Sequence, residues 1–418
     1  MNNLFAYRHG VLFAEDVDLP QIAAACGTPT YVYSATMIRE RYQAYDRAFA
    51  GIPHQVCYAV KANSNLAILT LLANEGAGFD IVSAGELFRV LKAGGDPAKV
   101  VFSGVGKTEV EIRYALSHGI HSFNCESEAE IDVLDRVAGE LKLEAKVSLR
   151  VNPDVDPATH EYISTGLKEN KFGIDYSVVE EAYAYAAARP NLKVTGVSCH
   201  IGSLMMDPSP MVEAVEKLKA LALRLKDRGL PIDHLDLGGG LGIAYTSDAQ
   251  TPSIEAAMQA LRKVVEDVVE ETGMSIMVEP GRSIVGEAGI LLTKVLYTKR
   301  NGERDFVIAD GAMNDLIRPS LYKAFHEVQP VHAVPNAMKA DLVGPVCESG
   351  DWLAKNRDFP ALKPGDLLAV MTTGAYGFGM ASNYNSRPRA AEVLVEGKHY
   401  RTVREREKFA DLIRGESA

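Results

Sequence analysis

Eight short apolar segments alternate with amphipathic segments between residues 55 and 283, and this alternation constrains the fold more than any other feature. In the amphipathic segments, apolar positions recur three and four residues apart with polar faces between them. Alternating strands and helices predict βα units with a parallel sheet. The apolar segments are 55–61, 78–83, 99–104, 121–126, 146–152, 194–202, 234–240 and 275–283.

The count of eight units predicts a closed (β/α)8 barrel (TIM barrel), which takes about 250 residues, whereas a doubly wound open sheet is the alternative. After residue 285 the helix alternation stops, and strand-like segments separated by turn signals follow. We therefore predict an α/β protein with a barrel over residues 31–285. A mostly β domain, shaped as a barrel or sandwich, is predicted from residues 1–30 together with 286–418.

The composition is globular and disfavours several kinds of partner. Apolar residues make up 47% of the chain and charged residues 24%, which supplies a large core. A net charge of −11 disfavours binding to nucleic acid or to an anionic membrane, and no apolar run is long enough to predict a membrane span. Five scattered cysteines fit neither a disulfide framework nor a zinc ribbon. We expect a reducing, cytoplasmic location and no metal site.

Candidate functional residues lie where the predicted strands end, because parallel barrels carry their active sites there. Lys61 ends the first segment, and a lysine whose pKa is lowered by burial can form a Schiff base. The alternative is a strand-end lysine whose head reaches solvent. His200 ends the sixth segment and is followed by Ser203, which can donate to an anion; a satisfied core histidine is the alternative.

Glycine-bearing turns close the seventh and eighth segments. The turn Gly238-Gly239-Gly240 can wrap a phosphate with its backbone N–H groups, although an ordinary tight turn is the alternative. The turn Glu279-Pro280-Gly281-Arg282 offers an acid for a protonated ring nitrogen and a cation for a carboxylate or phosphate, unless the two form a local ion pair. Both turns fall where barrels commonly bind phosphate, so together they predict a phosphate site.

The second domain and one long loop carry further candidates. Cys347 lies between turn-forming residues and beside acids, but its tripeptide Cys-Glu-Ser also occurs at residues 125–127, and spacing alone cannot rank the two copies. Arg318 and Tyr322 lie in a polar turn and are candidate functional residues. The alternative is that the arginine is simply solvated. A glycine-aromatic loop spans residues 374–379 and is a further candidate. The alternative is an ordinary β-turn without a functional role. The polar segment 154–176 is predicted to be functional or mobile.

Seven strings in one order resemble the fold-type III pyridoxal 5′-phosphate (PLP) decarboxylases, the group that acts on ornithine, diaminopimelate and arginine. The resemblance extends from about residue 31 to 388 and is closest to the members that act on diaminopimelate. The strings are Tyr58-Ala59-Val60-Lys61-Ala62-Asn63, His200-Ile201-Gly202-Ser203, Gly238-Gly239-Gly240, Glu279-Pro280-Gly281-Arg282, Arg318-Pro319-Ser320-Leu321-Tyr322, Gly344-Pro345-Val346-Cys347-Glu348-Ser349-Gly350-Asp351 and Gly374-Ala375-Tyr376-Gly377.

The resemblance implies PLP as cofactor and a barrel followed by a β domain. It implies that Lys61 forms the Schiff base, that His200 stacks on the pyridine face and that Glu279 keeps the ring nitrogen protonated. Asp80, at the end of the second segment, matches a family acid near the lysine. The phosphate ligands implied are Ser203, Gly238, Gly239, Gly240, Gly281, Arg282 and Tyr376.

The resemblance also implies a proton donor, a substrate pocket and an assembly. Cys347 protonates the carbanion left by CO2, which favours the second Cys-Glu-Ser copy. In the family, Cys347 and Glu348 reach the barrel of a partner subunit, so a homodimer with shared sites is implied. The substrate ligands implied are Arg282, Arg318, Tyr322, Glu348 and Tyr376.

Two arginines in one pocket suit a substrate with a second carboxylate, and Glu348 can take a distal ammonium. The expected activity is decarboxylation of meso-2,6-diaminopimelate to L-lysine and CO2, the last step of lysine biosynthesis. The alternatives are decarboxylation of ornithine, arginine or carboxynorspermidine, racemisation of an amino acid, and PLP binding without catalysis. Leu204 departs from the family, which more often has Gln at that position.

Overall fold

The computed structural model describes residues 4–155, 171–246 and 251–417. The chain divides into two compact units. The first, here called the barrel unit, comprises residues 41–243 and 251–283, and the second, here called the β unit, comprises residues 1–40, 244–250 and 284–418. Most of the segment predicted to be a functional or mobile loop, residues 156–170, lies outside the described part of the chain.

The strands in chain order are β1 (Phe5–Arg8), β2 (Val11–Ala14), β3 (Val17–Asp18), β4 (Thr30–Ser34), β5 (His54–Ala59), β6 (Gly78–Ile81), β7 (Val100–Phe102), β8 (Ser122–Cys125), β9 (Ala145–Asn152), β10 (Ile174–Asp175), β11 (Leu192–Cys199), β12 (His234–Asp236), β13 (Ser275–Val278), β14 (Gly289–Asn301), β15 (Arg304–Ala309), β16 (Val328–Pro330), β17 (Met338–Val343), β18 (Trp352–Phe359), β19 (Leu367–Val370), β20 (Ala391–Glu396) and β21 (His399–Arg404).

The helices in chain order are α1 (Leu19–Cys26), α2 (Ala35–Ala48), α3 (Leu66–Asn74), α4 (Ala84–Lys92), α5 (Glu109–Ser117), α6 (Glu128–Leu141), α7 (Val179–Ala187), α8 (Ser209–Asp227), α9 (Ile254–Thr272), α10 (Arg282–Val285), α11 (Arg318–Tyr322) and α12 (Phe409–Leu412). Within the described ranges, none of these helices has both the length and the apolar character that a bilayer span requires.

The barrel unit is a closed parallel barrel of the strands β5–β9 and β11–β13. Each strand pairs with the next, β13 pairs with β5, and β8 pairs with β9, so the sheet has no open edge. The predicted (β/α)8 fold is confirmed, and the alternative prediction of a doubly wound open sheet is wrong. In the chain, the helices α3 to α9 each connect one barrel strand to the next.

Helix α9 shows why these segments fold as the periodicity predicts. The side chain of Ser253 caps its first turn by accepting from the N–H of Ala256, and Gly273 ends it in the left-handed conformation with φ +69°. Each fully buried Leu or Val contributes about 2 kcal/mol through its removal from water. The buried face comprises Ile254, Ala257, Met258, Leu261, Val264, Val265 and Val268.

The β unit is organised around the long strand β14, which pairs antiparallel with β4, β15 and β19. Strand β4 also pairs in parallel with β20, and its tyrosines Tyr31 and Tyr33 are fully buried. Residues 31–40, which the sequence assigns to the barrel, are therefore part of the β unit. The strands β1–β3 form a small antiparallel sheet.

Candidate active site

The carboxyl ends of the barrel strands bring Lys61 and Asp80 together. Lys61 lies in a 3₁₀ turn, Val60–Ala62, directly after β5, and its Nζ donates to Asp80 Oδ2 at 2.7 Å. Its side chain is 36% exposed, which favours the alternative of a strand-end lysine whose head reaches solvent, whereas the Asp80 side chain is fully buried. The neighbouring strands β5 and β6 align Ala59 with Asp80, which fixes the spacing of this ion pair.

The second oxygen of Asp80, Oδ1, is buried and has no hydrogen-bond partner among the described residues. A buried carboxylate oxygen without a partner is costly, so such an atom marks a position for a polar group of a ligand. Because Asp80 is also the partner of Lys61, that position lies beside the candidate Schiff-base lysine.

Two further acids lie within the barrel, and the sequence singles out only one of them. Burial raises the pKa of Glu279 well above its ordinary range, and the charges of Asp236 and Asp80 raise it further. Burial also raises the pKa of Asp236. Three buried acids thus act on one another electrostatically, and Lys61 is paired with one of them, Asp80. A protonated ring nitrogen would supply a further positive charge. The sequence marks Asp236 only as a residue that precedes the glycine run.

His200 is held as a neutral ring. Its Nδ1 accepts a hydrogen bond from the N–H of Gly239 at 3.2 Å, so the ring proton is assigned to Nε2. Burial lowers the pKa of His200 well below its ordinary value, and the positive charges of Arg150 and Lys61 lower it further. A flat, uncharged imidazole is suited to packing against an aromatic cofactor ring.

The glycine turn after β12 is tied into the protein. The N–H of Gly238 donates to Asp236 Oδ1 at 3.0 Å, and the N–H of Gly239 donates to His200. Both amides therefore have protein acceptors. A Cβ at Gly239 would clash with the backbone oxygen of Glu279, so close approach of the two turns requires glycine there. Phosphate binding by this turn stays a prediction.

The other predicted phosphate ligands of the barrel unit lie in neighbouring loops. A Cβ at Gly281 would lie 3.0 Å from the Cβ atoms of Ala59 and Ala62, so this turn packs against the Lys61 segment. Arg282 begins α10. Ser203 precedes Leu204, which has φ +62°; a left-handed leucine is rare and is typical of functional loops.

In the β unit, Arg318 is buried rather than solvated. It is 4% exposed, its Nη1 contacts His326 Nε2 at 3.0 Å, and its guanidinium lies 4.8 Å from the centre of the Tyr245 ring. The alternative of a solvated arginine is therefore wrong. Tyr322 ends the same helix, α11, and is half-buried. Tyr376 has φ +56°, a strained conformation for a tyrosine.

Cys347 and Glu348 lie exposed on an anchored loop of the β unit. The two carboxylate oxygens of Asp351 accept the N–H groups of Met313 and Val346, each at 2.7 Å. The N–H of Cys347 donates to an asparagine side chain at 2.9 Å. The loop thus presents a thiol and a carboxylate to the outside on a fixed backbone.

Glu86 is a titratable group near this site that the sequence did not reveal. Burial raises its pKa to about 7, and the charge of Asp80 contributes in the same direction. Its Oε2 accepts the N–H of Val82 at 2.7 Å. A glutamate in the first turn of an amphipathic helix is usually solvated, so the sequence held no signal for this environment.

Comparison with known proteins defines the class first. Residues 35–286 match the family model described as the pyridoxal-binding domain of pyridoxal-dependent decarboxylases. That range covers the barrel strands and the residues Lys61, Asp80, His200 and Glu279.

Full-length relatives identify the family within this class of decarboxylases. The chain is 56% identical to a diaminopimelate decarboxylase of Pseudomonas aeruginosa, over 99% of this chain and 98% of the relative. Among solved structures, the diaminopimelate decarboxylase of M. jannaschii in complex with L-lysine has a TM-score of 0.95 at 38% identity, covering 100% of this chain and 98% of that one. The Helicobacter pylori enzyme with L-lysine has a TM-score of 0.90 at 42% identity, covering 94% and 98%. The chain belongs to the diaminopimelate decarboxylase family.

Proposed function

We propose that the protein decarboxylates meso-2,6-diaminopimelate to L-lysine and CO2 with PLP as its cofactor. The assignment of the substrate rests on the 56% identity, over 99% of the chain, to a diaminopimelate decarboxylase. Two similar structures, from the relatives described above, hold L-lysine, which would be the product of this reaction. The barrel unit supplies a lysine and an acid cluster suited to the cofactor.

The barrel residues fit PLP by charge and by shape. Lys61 would hold the aldehyde, the acids would face the ring nitrogen, and the neutral His200 ring would lie against the pyridine. When bound, the cofactor supplies an electron sink for the electrons left by the departing carboxylate. We propose that the phosphate is held by Ser203, Gly238, Gly239, Gly240, Gly281, Arg282 and Tyr376.

The β unit residues are proposed to hold the distal end of the substrate and to deliver a proton. Arg318 is fixed by His326 and Tyr245, so its guanidinium keeps one orientation in which to bind a carboxylate. Glu348 would bind the distal ammonium. Cys347 Sγ would donate its proton to the carbon that has lost CO2. Tyr322, Tyr376 and Arg282 complete the proposed substrate ligands.

The protein is proposed to be a cytoplasmic homodimer in which Cys347 and Glu348 complete the barrel site of the partner subunit. Their exposure in one chain is suited to such a role. Apolar side chains are also exposed after β6 and β7 and on α4: Val82 is 40%, Val105 42% and, on α4, Phe88 53% exposed. The five cysteines are all unpaired, which suits a reducing compartment.

A single assay tests the proposed function: release of L-lysine from meso-2,6-diaminopimelate by the PLP-loaded protein. We expect Lys61→Ala to lower turnover by about 10³-fold or more. Lys99→Ala is the matched control, because Lys99 ends a 3₁₀ turn before β7 and its Nζ donates to Gly76 O. Faster turnover of ornithine, arginine or carboxynorspermidine by the wild type would refute the substrate.

A further inference from the structure

We infer that Asp236 and Asn124 hold Glu279 in a carboxyl pair that shares a single proton, and that this pair sets the charge presented to the ring nitrogen of the cofactor. The inference deepens the proposed function and rests on PLP as the cofactor. Neither Asp236 nor Asn124 is among the residues proposed to bind cofactor or substrate. Both would be positioning residues that act through Glu279.

Asn124, which lies in β8, connects the two acids across the barrel interior. Its Nδ2 lies 3.0 Å from Asp236 Oδ2 and 3.4 Å from Glu279 Oε1. The same nitrogen lies 3.1 Å from Ser103 Oγ, which in turn lies 3.4 Å from Glu279 Oε1. One amide nitrogen therefore contacts both members of the pair.

The two acids meet at one amide nitrogen of Asn124, and a proton is needed to stabilise them there. An ionised carboxylate only accepts hydrogen bonds, so neither acid can donate to the other unless one of them is protonated. Asp236 is fully buried and Glu279 is 7% exposed. Two negative charges that contact the same amide nitrogen in a poorly solvated interior repel strongly, so the pair keeps one proton and one negative charge.

Among the described residues, the charged and titratable groups around the pair place no cation in contact with that one negative charge. From the end of β5, Lys61 is paired with Asp80 of β6 at 2.7 Å. The thiols of Cys57 in β5 and Cys199 in β11 are buried, and both burial and Asp236 raise their pKa, so they stay neutral. A protonated ring nitrogen would balance the remaining charge.

Asp236 also joins the pair to the rest of the site. Its Oδ1 accepts the N–H of Gly238, and the next amide, of Gly239, holds His200. When Asp236 keeps the proton, Glu279 is free to carry the charge toward the ring nitrogen. The position of the glycine turn, the orientation of His200 and the charge on Glu279 are thereby linked through one buried aspartate.

Asp236→Asn tests the shared proton directly. An amide cannot hold the acid proton, and its NH2 group would be set against either Asn124 Nδ2 or the Gly238 N–H, both of which are donors. In the cofactor-free protein we expect the difference infrared spectrum to lose one protonated-carboxyl C=O band that shifts in D2O. The spectra are taken at about pH 8.5, where Glu86 and Asp315, whose pKa values are raised to about 7, are ionised.

The same variants are tested for cofactor binding. Asp236→Asn and Asn124→Asp are each expected to raise the dissociation constant for PLP about 10-fold. The double variant, Asn124→Asp with Asp236→Asn, exchanges acid and amide and is expected to regain both the band and an affinity within about 3-fold of wild type. Ser122→Ala is the matched control, because Ser122 is a buried polar residue of the same strand whose Oγ has no partner among the described residues.

Three outcomes would overturn the inference: no such band in the wild type, a band that persists in Asp236→Asn, or an exchanged double variant no better than the single variants. If the single variants fail to fold, the wild-type spectrum and the double variant still test the inference. Failure of the proposed function is recognised separately. A wild type that shows the band and binds PLP but forms no lysine would refute only the substrate, whereas lysine formation without the band would refute only the shared proton.

Discussion

The tripeptide Cys-Glu-Ser occurs twice in this chain, at residues 125–127 in the barrel unit and 347–349 in the β unit, and the two copies have opposite environments. Cys125 ends β8 and is fully buried, whereas Cys347 is exposed on a loop. Burial raises the pKa of the Cys125 thiol well above its ordinary value. The same residues thus give an inert thiol in one place and an accessible thiol in the other.

The glutamates differ in the same way. Glu126 accepts the N–H of Gly104 at 3.1 Å, the N–H of Gly173 at 2.9 Å and the Nη1 of Arg150 at 3.2 Å. Glu348 is exposed and accepts from the hydroxyl of Tyr384 at 3.3 Å. The first copy therefore ties three segments of the barrel unit together, and the second leaves its acid available for a ligand. Burial, which the tripeptide itself does not encode, decides the role.

The largest expected effect separates the two cysteines. We expect Cys347→Ala to lower kcat for lysine formation by about 10³-fold, because it removes the proposed proton donor. Cys125→Ala is the control and should leave kcat near wild type while costing about 1 kcal/mol of stability through the lost sulfur contacts. Steady-state kinetics of both holoenzymes would measure this. Equal losses of kcat in the two variants would show that the exposed thiol has no special role.

The second prediction compares the glutamates by stability. In Glu126→Gln the guanidinium of Arg150 loses the charge of a partner that is 2% exposed, and Arg150 is itself 11% exposed. We expect the free energy of unfolding to fall by about 3 kcal/mol, because the remaining buried charge is uncompensated.

Glu348→Gln is the matched control for that measurement, with an expected change within about 0.5 kcal/mol. Urea unfolding of the full chain, followed by circular dichroism, gives both values. A change below about 1 kcal/mol for Glu126→Gln would mean that the Arg150 pair does not stabilise the barrel unit.

The third prediction concerns the chemical reactivity of the two thiols. Since the thiolate is the nucleophile, a buried thiol with a raised pKa stays protonated and unreactive. We expect iodoacetamide at about pH 8 to alkylate Cys347 at least about 10²-fold faster than Cys125. Peptide mass spectrometry over time measures the two rates in one sample. Comparable rates would place Cys125 in a more open environment than the interior of a barrel strand.

The fold was largely predictable because periodicity reports burial. The predicted and observed strands agree in number and order, since each apolar segment had to be buried in a parallel sheet. The exceptions have physical causes. The sequence assigns strand β4 to the barrel, but its hydrogen bonds to β14 and β20 place it in the β unit. Such pairings join segments far apart in the sequence and leave no local signal.

Candidate site residues were predictable where they lie at the end of a predicted strand and also belong to a string that resembles the family. They were not predictable where side chains from distant strands meet inside the barrel. Lys61, His200 and Glu279 were predicted because each lies where a predicted apolar segment ends, and in the structure each lies just after a barrel strand. The contact of Asn124 with Asp236 spans 112 residues, and no spacing rule connects them. Arg318 was expected in a polar turn, yet His326 and Tyr245 enclose it. Propensity describes the backbone, and it does not report which polar groups meet in the interior.

The smallest expected effect concerns the two serines. Ser127 caps α6 by accepting the N–H of Glu130 at 3.2 Å, although it is exposed. We expect Ser127→Ala to lower the free energy of unfolding by about 1 kcal/mol, because that N–H loses its acceptor at the helix start. Ser349→Ala, in an exposed loop, should change it by less than about 0.5 kcal/mol. Urea unfolding measures both, and Ser127→Asp should recover the loss, since an aspartate both caps the helix and interacts favourably with its dipole.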